Sequence, residues 1–407
     1  MLILSINKFF WRKGGSETVF FDEKALLESK GHSVIPFSMK NEDNLESEYS
    51  DYFVEYVDYG KSGLASKLAS ASKIIYSFDA RKKMKLLLEQ AAPEVAHFHI
   101  FQHQISPSVF KPLQDKNIPI ILTLHDLKPM CPNYKMYVNG LVCEKCKGVK
   151  FYNSVVNKCT KDSIFGSLVN MIEMYFHHYM RYYRDVDMYI AVSNFYREKM
   201  IEFGFPAEKI SYLPNYIDVT EYEVSKSHDD YILYFGRLSE EKGLETFIKA
   251  ATLNPSINHF IVGAGPIELK LKTLVNEGNI SNVTFLGFKS GAELKMIISR
   301  ALCIVVPSEW YENCPMSVLE SFASARPVIG SNIGGIPELI SESIDGLIFK
   351  THDAQDFALK IKWMSENKDE AIKMGLAGRK KVEDKFNKNL HYAGLMSIYK
   401  SVLGEAK

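Results

Sequence analysis

Residues 309–340 read EWYENCPMSVLESFASARPVIGSNIGGIPELI. Pro315 suits the opening of a helix, and the small, apolar run SVLESFASA continues it. PVIGS (327–331) then reads as a short strand, continuous in its apolar character and so buried on both faces. Gly334-Gly335 closes it with a turn. Two carboxylates lie eight positions apart, Glu312 before the helix and Glu320 inside it. An unpaired acid among the neighbours of Glu320 is costly, which favours a ligand there. The plain alternative makes Glu312 a helix N-terminal acid and Glu320 a solvated face residue.

The same unit recurs in both directions. LILSI (2–6), VAHFHI (95–100), IPIILTL (118–124) and MYIAVS (188–193) precede it; YILYFG (231–236), HFIVG (259–263), VTFLG (283–287) and CIVVPS (303–308) lead up to it. Helical patterns lie between most of these runs, as in βαβ units. The polar stretch 214–230 precedes a fresh strand and is the best boundary. The expectation is two doubly wound α/β domains, 1–217 and 218–389. Ligands of such sheets bind at the carboxyl ends of the strands, so the site is expected between the domains.

The 407 residues favour two domains over one core. With 46% hydrophobic and 24% charged residues and zero net charge, nothing in the bulk points to nucleic acid. No run approaches the length of a membrane span. MLILSI is too short for a signal h-region and reads as a first buried strand, giving an expectation of a cytoplasmic chain.

Four junctions carry candidate chemistry. In YFGRLSEEKGLETF a strand ends at Gly236, Arg237 follows, and Ser239 is the expected N-cap with Lys242 in the first turn. A cation there opposes the helix dipole unless an anion binds, which points to phosphate; the alternative is that Glu240 and Glu241 neutralise two surface cations. IVGAGP (261–266) has Pro266 suited to a first helical position, but Glu268 stands where a dinucleotide fingerprint needs its third glycine, which counts against a NAD enzyme. KFFWRKGGSET has Gly14-Gly15 for close backbone approach and Ser16 as the expected cap. ILTLHDLKPMCP places His125 at a strand end. In the opening stretch the amides of Met316 and Ser317 suit a phosphate or sugar hydroxyl, Glu320 suits a vicinal diol, and Glu312 reaches hydroxyls of a second ring.

These residues together resemble the retaining family 4 glycosyltransferases of the two-Rossmann (GT-B) fold, across nearly the whole chain. The resemblance rests on the two-glutamate stretch with GRLSEEKGLETFIKAA, GGSE, HDLKPMCP and YIAVS. It implies a nucleoside-diphosphate sugar donor. Arg237 and Lys242 would hold the diphosphate and Glu320 the ribose. Glu312 would sit by the donor sugar, with the amides of Cys314, Met316 and Ser317 on its hydroxyls. Gly15 would approach the diphosphate, and His125 would lie at the reacting centre. It also implies catalysis with no bound divalent ion, a glycan or lipid-linked glycan acceptor in cell-surface polysaccharide synthesis, and a final helix, about 390–404, that crosses back to the N-terminal domain (1–217 plus about 390–407). DVD (185–187) looks like the metal motif of the other glycosyltransferase fold, but it precedes a strand and is read as chance. The family's Gly-Phe-Gly after the first glutamate is Asn313-Cys314-Pro315 here, and the proline removes a backbone donor. The rivals are a silent nucleotide-sugar-binding partner subunit, a GT-B epimerase and a starch- or glycogen-type synthase.

The insertion 128–161 carries Cys131, Cys143, Cys146 and Cys159, a candidate structural zinc site with free thiols as the alternative. It also carries seven lysines against one acid, Glu144. The following FGSLVNMIEMYFHHYMRYYR reads as an aromatic amphipathic helix, expected to pack in the core, with peripheral membrane contact as the alternative.

Overall fold

The computed structural model describes residues 1–57, 64–225 and 227–404. The chain divides into two compact units, Met1–Met136 with Glu144–Leu213 and Tyr392–Lys407, and Tyr137–Cys143 with Pro214–His391. The first holds β1 (Leu2–Ile6), β2 (Ser33–Phe37), β3 (Val95–Phe98), β4 (Ile120–Leu124), β7 (Met188–Ala191) and β8 (Ile210–Tyr212) in one parallel sheet, ordered β2-β1-β3-β4-β7-β8. A two-stranded antiparallel hairpin, β5 (Tyr137–Val138) and β6 (Leu141–Val142), lies within the insertion. The second unit holds β9 (Tyr231–Phe235), β10 (Asn258–Val262), β11 (Val283–Gly287), β12 (Cys303–Val306), β13 (Val328–Ser331) and β14 (Gly346–Phe349). Its order is β11-β10-β9-β12-β13-β14, again all parallel.

The reason lies in the side chains. IILTL of β4 and YILYF of β9 are buried at every position, which suits strands covered by helices on both faces. Ile232, Leu244, Phe247, Ile261, Val305 and Phe357 belong to the core of the second unit. In the first, Ile3, Leu27, Val95, Ile121 and Ile190 pack with Leu395, Ile398 and Tyr399 from the last helix, Lys388–Leu403.

Besides the β5–β6 hairpin, three strands of the two large sheets were not anticipated: β2, β8 and β14 each form a sheet edge. β2 contains Pro36, which only an edge tolerates; β8 is three residues long.

Strand order fixes where ligands can bind. The order reverses between β1 and β3 in the first sheet and between β9 and β12 in the second. At such a point the loops leaving two neighbouring strands diverge and open a crevice at their carboxyl ends.

Candidate functional site

In the second unit the loops after β9 and β12 meet at the reversal point. The Glu309 amide donates to the Glu241 carbonyl at 2.8 Å, and the Ser239 hydroxyl donates to the buried Glu241 carboxylate at 2.9 Å. Ser239 therefore does not cap the helix with its side chain, contrary to expectation. Residues 240–242 form a 3₁₀ turn, Gly243 takes the left-handed conformation (φ 68°), and the helix opens at Leu244. A Cβ at Gly243 would strike the Pro307 carbonyl, so only glycine lets the two loops interlock here.

Lys242 is thus outside the helix, and its charge has a partner within the fold. Its Nζ donates to Glu312 Oε1 at 2.6 Å and lies 5.3 Å from the centre of the Trp310 ring. The Ser308 hydroxyl donates to the same Glu312 oxygen at 2.6 Å. Burial alone would raise the Glu312 carboxyl, but Lys242 and these hydrogen bonds hold it below the ordinary carboxylate range. The Gly335 amide closes on the Glu312 carbonyl at 2.8 Å, and Gly334 (φ 60°) passes so close that a side chain there would meet the Glu312 backbone. Glu312 is therefore ionised, oriented and fixed from both sides. Arg237 is exposed at the mouth of the same loop.

The helix Met316–Ala323 opens directly after this loop. Pro315 occupies the cap position, one residue earlier than the first helical turn, and no side chain caps the helix. Met316, Ser317 and Glu320 are all half-buried. Glu320 lies four residues after Met316, on the same face. Cys314 is buried; burial pushes its thiol up to about 12, and its carbonyl accepts from Asn215 Nδ2 at 3.2 Å. Its side chain is inert, so only its backbone can serve a ligand. The second unit thus brings Arg237, Lys242, Glu312, Cys314, Met316, Ser317 and Glu320 onto two adjoining loops and one helix start.

In the first unit Gly15 is the first residue of the helix Gly15–Ser29, with Gly14 in the cap position and no side-chain cap. Ser16, the expected cap, lies inside the first turn and donates to Glu17 at 3.1 Å. His125 directly follows β4, half-buried. Sequence reasoning missed its neighbours. His99 stacks on His125 with ring centres 5.2 Å apart, and His99 Nδ1 lies 3.0 Å from His125 Nε2. His97 and His99 both face Glu23 Oε1, at 3.0 and 3.4 Å. The available signal was VAHFHI, since residues i and i+2 of a strand share a face. Burial, the largest cause, holds the His125 imidazole well below its ordinary range, so it is neutral near pH 7. Asp126 is pushed up by burial and Lys8 is pushed down by burial, each opposed by the other's charge.

The four cysteines of the expected zinc site do not converge. Among the described residues no three of the four insertion sulfurs lie within 4.8 Å of one another. The Cys131 thiol donates to Asn133 Oδ1 at 3.0 Å. Two further elements of that region are ordered by charge. Lys128, fully buried, donates to Glu173 Oε2 at 2.6 Å and to the Pro132 carbonyl at 2.9 Å. The packed-core expectation for the following helix, Ile164–Tyr179, is also corrected. It buries Ser167, Asn170, Glu173 and His177, together with Val169 and Met174, and exposes Ile164, Phe165, Leu168, Ile172 and Tyr179.

Two parallel α/β units, each with a reversal point in its strand order, match the GT-B architecture. A family model described as Glycosyltransferase Family 4 matches residues 13–221, more than half of the chain, and one described as Glycosyl transferases group 1 matches residues 220–381. The chain belongs to glycosyltransferase family 4. An amylovoran biosynthesis glycosyltransferase of Erwinia amylovora is 30% identical over 235 residues, 54% of this chain and 58% of that one, so the match spans less than two thirds of the relative. The sucrose-phosphate synthase of Thermosynechococcus elongatus superposes with a TM-score of 0.76 at 19% identity, over all of both chains. HepE of Anabaena, solved in complex with UDP, superposes with a TM-score of 0.66 at 16% identity, over 98% of this chain and all of that one. At these identities the two structures speak to the fold.

Proposed function

We propose that the chain is a retaining glycosyltransferase. It moves a sugar from a nucleoside diphosphate to a glycan acceptor, lipid-linked, in cell-surface polysaccharide synthesis on the cytoplasmic side. The observation that carries this is the Lys242–Glu312 pair at the reversal point of the second sheet, beside an uncapped helix start. Lys242 keeps further N–H donors for a diphosphate after its bond to Glu312, and Arg237 adds a second cation. Their charge takes up the negative charge that develops on the leaving diphosphate, the task a divalent ion performs elsewhere. Glu320 accepts the ribose diol, and the amides of Cys314, Met316 and Ser317 take sugar hydroxyls, with Glu312 beside them. Gly15 brings a helix N-terminus towards phosphate. His125, neutral, is assigned to the reacting centre. The leaving phosphate takes the acceptor's proton. The Erwinia relative supports the polysaccharide setting, and the HepE complex supports UDP as the first nucleotide to try.

A thermal-shift panel of UDP, GDP, ADP and dTDP, followed by their sugars, tests the reading. One nucleotide is expected to raise the melting point, and turnover with its sugar is expected to persist in EDTA and to keep the anomeric configuration in the product. No shift from any nucleotide would instead favour a silent subunit.

The acceptor side adds a membrane contact. The helix Ile164–Tyr179 turns its polar residues inward and leaves Ile164 57% and Tyr179 83% exposed, with Val156, from the preceding short helix, at 72%. Lysines 145, 147, 150, 158 and 161 precede it. An apolar face flanked by lysines suits an anionic bilayer surface. Flotation with anionic vesicles is expected to carry the protein upward and Phe165→Asp/Ile172→Asp to abolish it; no flotation of the wild type would retire the contact.

A further inference from the structure

The first unit holds a cavity that neither the donor residues nor His125 uses. Its volume is about 60 Å³, room for about four to six water-sized groups at roughly 10–15 Å³ each. Its walls come from residues 146–151 of the insertion, from the last turns of the helix Ile164–Tyr179 with the segment after it, and from residues 203–205 behind the helix Asn194–Glu202. Met130, Phe151 and Met174, all buried, make much of that wall apolar. Gly148 and Val149 take left-handed backbone there (φ 70° and 64°), which a β-branched residue rarely adopts, so the surroundings hold this wall in shape.

The charge of the lining has one sign. Among the described residues that line the cavity no acid occurs, and the charged ones are Arg181 and Arg184. Arg181 reaches Asp185 at 3.4 Å. The Arg184 guanidinium is exposed and makes no ion pair among the described residues. It lies near enough to His178 that its charge adds to burial in lowering that imidazole. Lys147 Nζ stands 5.9 Å from the centre of the Phe203 ring and 3.9 Å from Glu202. A free anion would answer Arg184 and leave the apolar wall in water; a purely apolar molecule would do the reverse. Guanidinium groups hold phosphate oxygens in pairs, and methylene groups gain by leaving water.

We propose that this cavity binds a long-chain alkyl or prenyl phosphate, with the phosphate on Arg181 and Arg184 and the first carbons of the chain against Phe151, Met174 and Phe203. The same helix offers the chain a way out. The Phe151 ring meets Tyr175 edge-on, centres 5.2 Å apart, and Tyr175 belongs to the exposed side with Ile172 and Tyr179. Taking this ligand as the carrier of the glycan acceptor rests on the glycosyltransferase reading; the binding itself does not.

The test titrates the full chain calorimetrically with farnesyl phosphate, farnesol and inorganic phosphate, without membranes. Farnesyl phosphate is expected to bind roughly 10-fold or more tightly than either of the others, since each lacks one half of the contacts. Arg181→Ala and Arg184→Ala are each expected to weaken it roughly 10-fold, on the order of one charged hydrogen bond; both side chains are exposed, so the fold is safe. Phe203→Asp sets a carboxylate beside the arginines and is expected to abolish binding. Lys362→Ala removes an exposed cation of the second unit and is expected to change nothing. Inorganic phosphate binding as tightly as farnesyl phosphate would leave an anion site and overturn the lipid assignment. Farnesol binding as tightly would overturn the role of the arginines. No binding, or unchanged affinity in both arginine variants, would overturn the site. A nucleotide shift without farnesyl phosphate binding sinks this inference alone; binding without any nucleotide shift upholds the site and overturns its tie to sugar transfer.

Discussion

Removing the Lys242 ammonium is expected to act on donor binding and on folding at once, and the two can be separated. The Lys242 side chain is 24% exposed and that of Glu312 is 7% exposed, so this pair is sheltered rather than screened. Lys242→Met deletes a charged hydrogen bond to diphosphate worth about 1.5–3 kcal/mol, an increase in Kd of roughly 10- to 150-fold. It also leaves Glu312 as a buried carboxylate without its cation, at a cost of about 3 kcal/mol in stability. Glu312→Gln keeps the shape and loses the charge that aims Lys242, so it weakens nucleoside diphosphate binding by about 1 kcal/mol. If Glu312 acts through Lys242, the effects are not additive. Lys242→Met/Glu312→Leu then binds within about 0.5 kcal/mol of Lys242→Met and is more stable than it, because the stranded charge is gone. Calorimetric titration with the nucleoside diphosphate that gives the largest thermal shift measures the cycle, and urea unfolding measures the stability arm. Additive losses in affinity would refute the coupling, and unchanged affinity in Lys242→Met would refute the phosphate assignment.

Other outcomes follow from the same geometry. Gly243→Ala forces a side chain into a left-handed position against the Pro307 carbonyl and is expected to destabilise the second unit by about 1–3 kcal/mol or more, read as a lower urea midpoint. An unchanged midpoint would show that the loops do not interlock. Glu320→Ala is expected to weaken nucleoside diphosphate roughly 10-fold, on the order of one charged hydrogen bond, while leaving competition by inorganic pyrophosphate unchanged; equal losses for both would remove the ribose assignment. The Glu173 carboxyl, which burial would raise, is held at about 2 by Lys128 and His103, against an ordinary 4.5. A depressed folded value means stability present above about pH 5 and lost as pH falls towards 2, about 3 kcal/mol in full. His103 and His177, held low chiefly by burial, act in the same direction below their ordinary 6.5. Urea midpoints should therefore fall from pH 7 to pH 4, and a rise would contradict the pair.

The central strands were legible because a strand buried on both faces must be continuously apolar, as in IILTL and YILYF. The edge strands were not, because one flank needs no burial and Pro36 or a three-residue length suffices. The donor-side residues were legible as a group on two loops and a helix start. Their pairing was not: nothing in the spacing says that Lys242 meets Glu312, 70 positions on, and the cation at an apparent helix start looked like an empty anion site. Ser239 and Ser16 failed as caps because a nearby carboxylate took each hydroxyl. The helix Ile164–Tyr179 was misread because an apolar stripe is normally the buried one, and here the Lys128–Glu173 pair fixes the polar stripe inward. Glu23, His97 and His99 were missed because only the packing of the helix Gly15–Ser29 on the sheet brings the acid to the imidazoles.

The last helix gives the first unit an unusual birth order. Leu395, Ile398 and Tyr399 seal a core whose other walls, Ile3, Leu27, Val95 and Ile121, are synthesised first. The ribosome therefore releases an N-terminal unit with an open apolar wound, and makes the whole second unit before closure can occur. A chain interrupted anywhere before Tyr399 exposes that surface to chaperones and proteases. Only a polypeptide translated past that residue can complete this core.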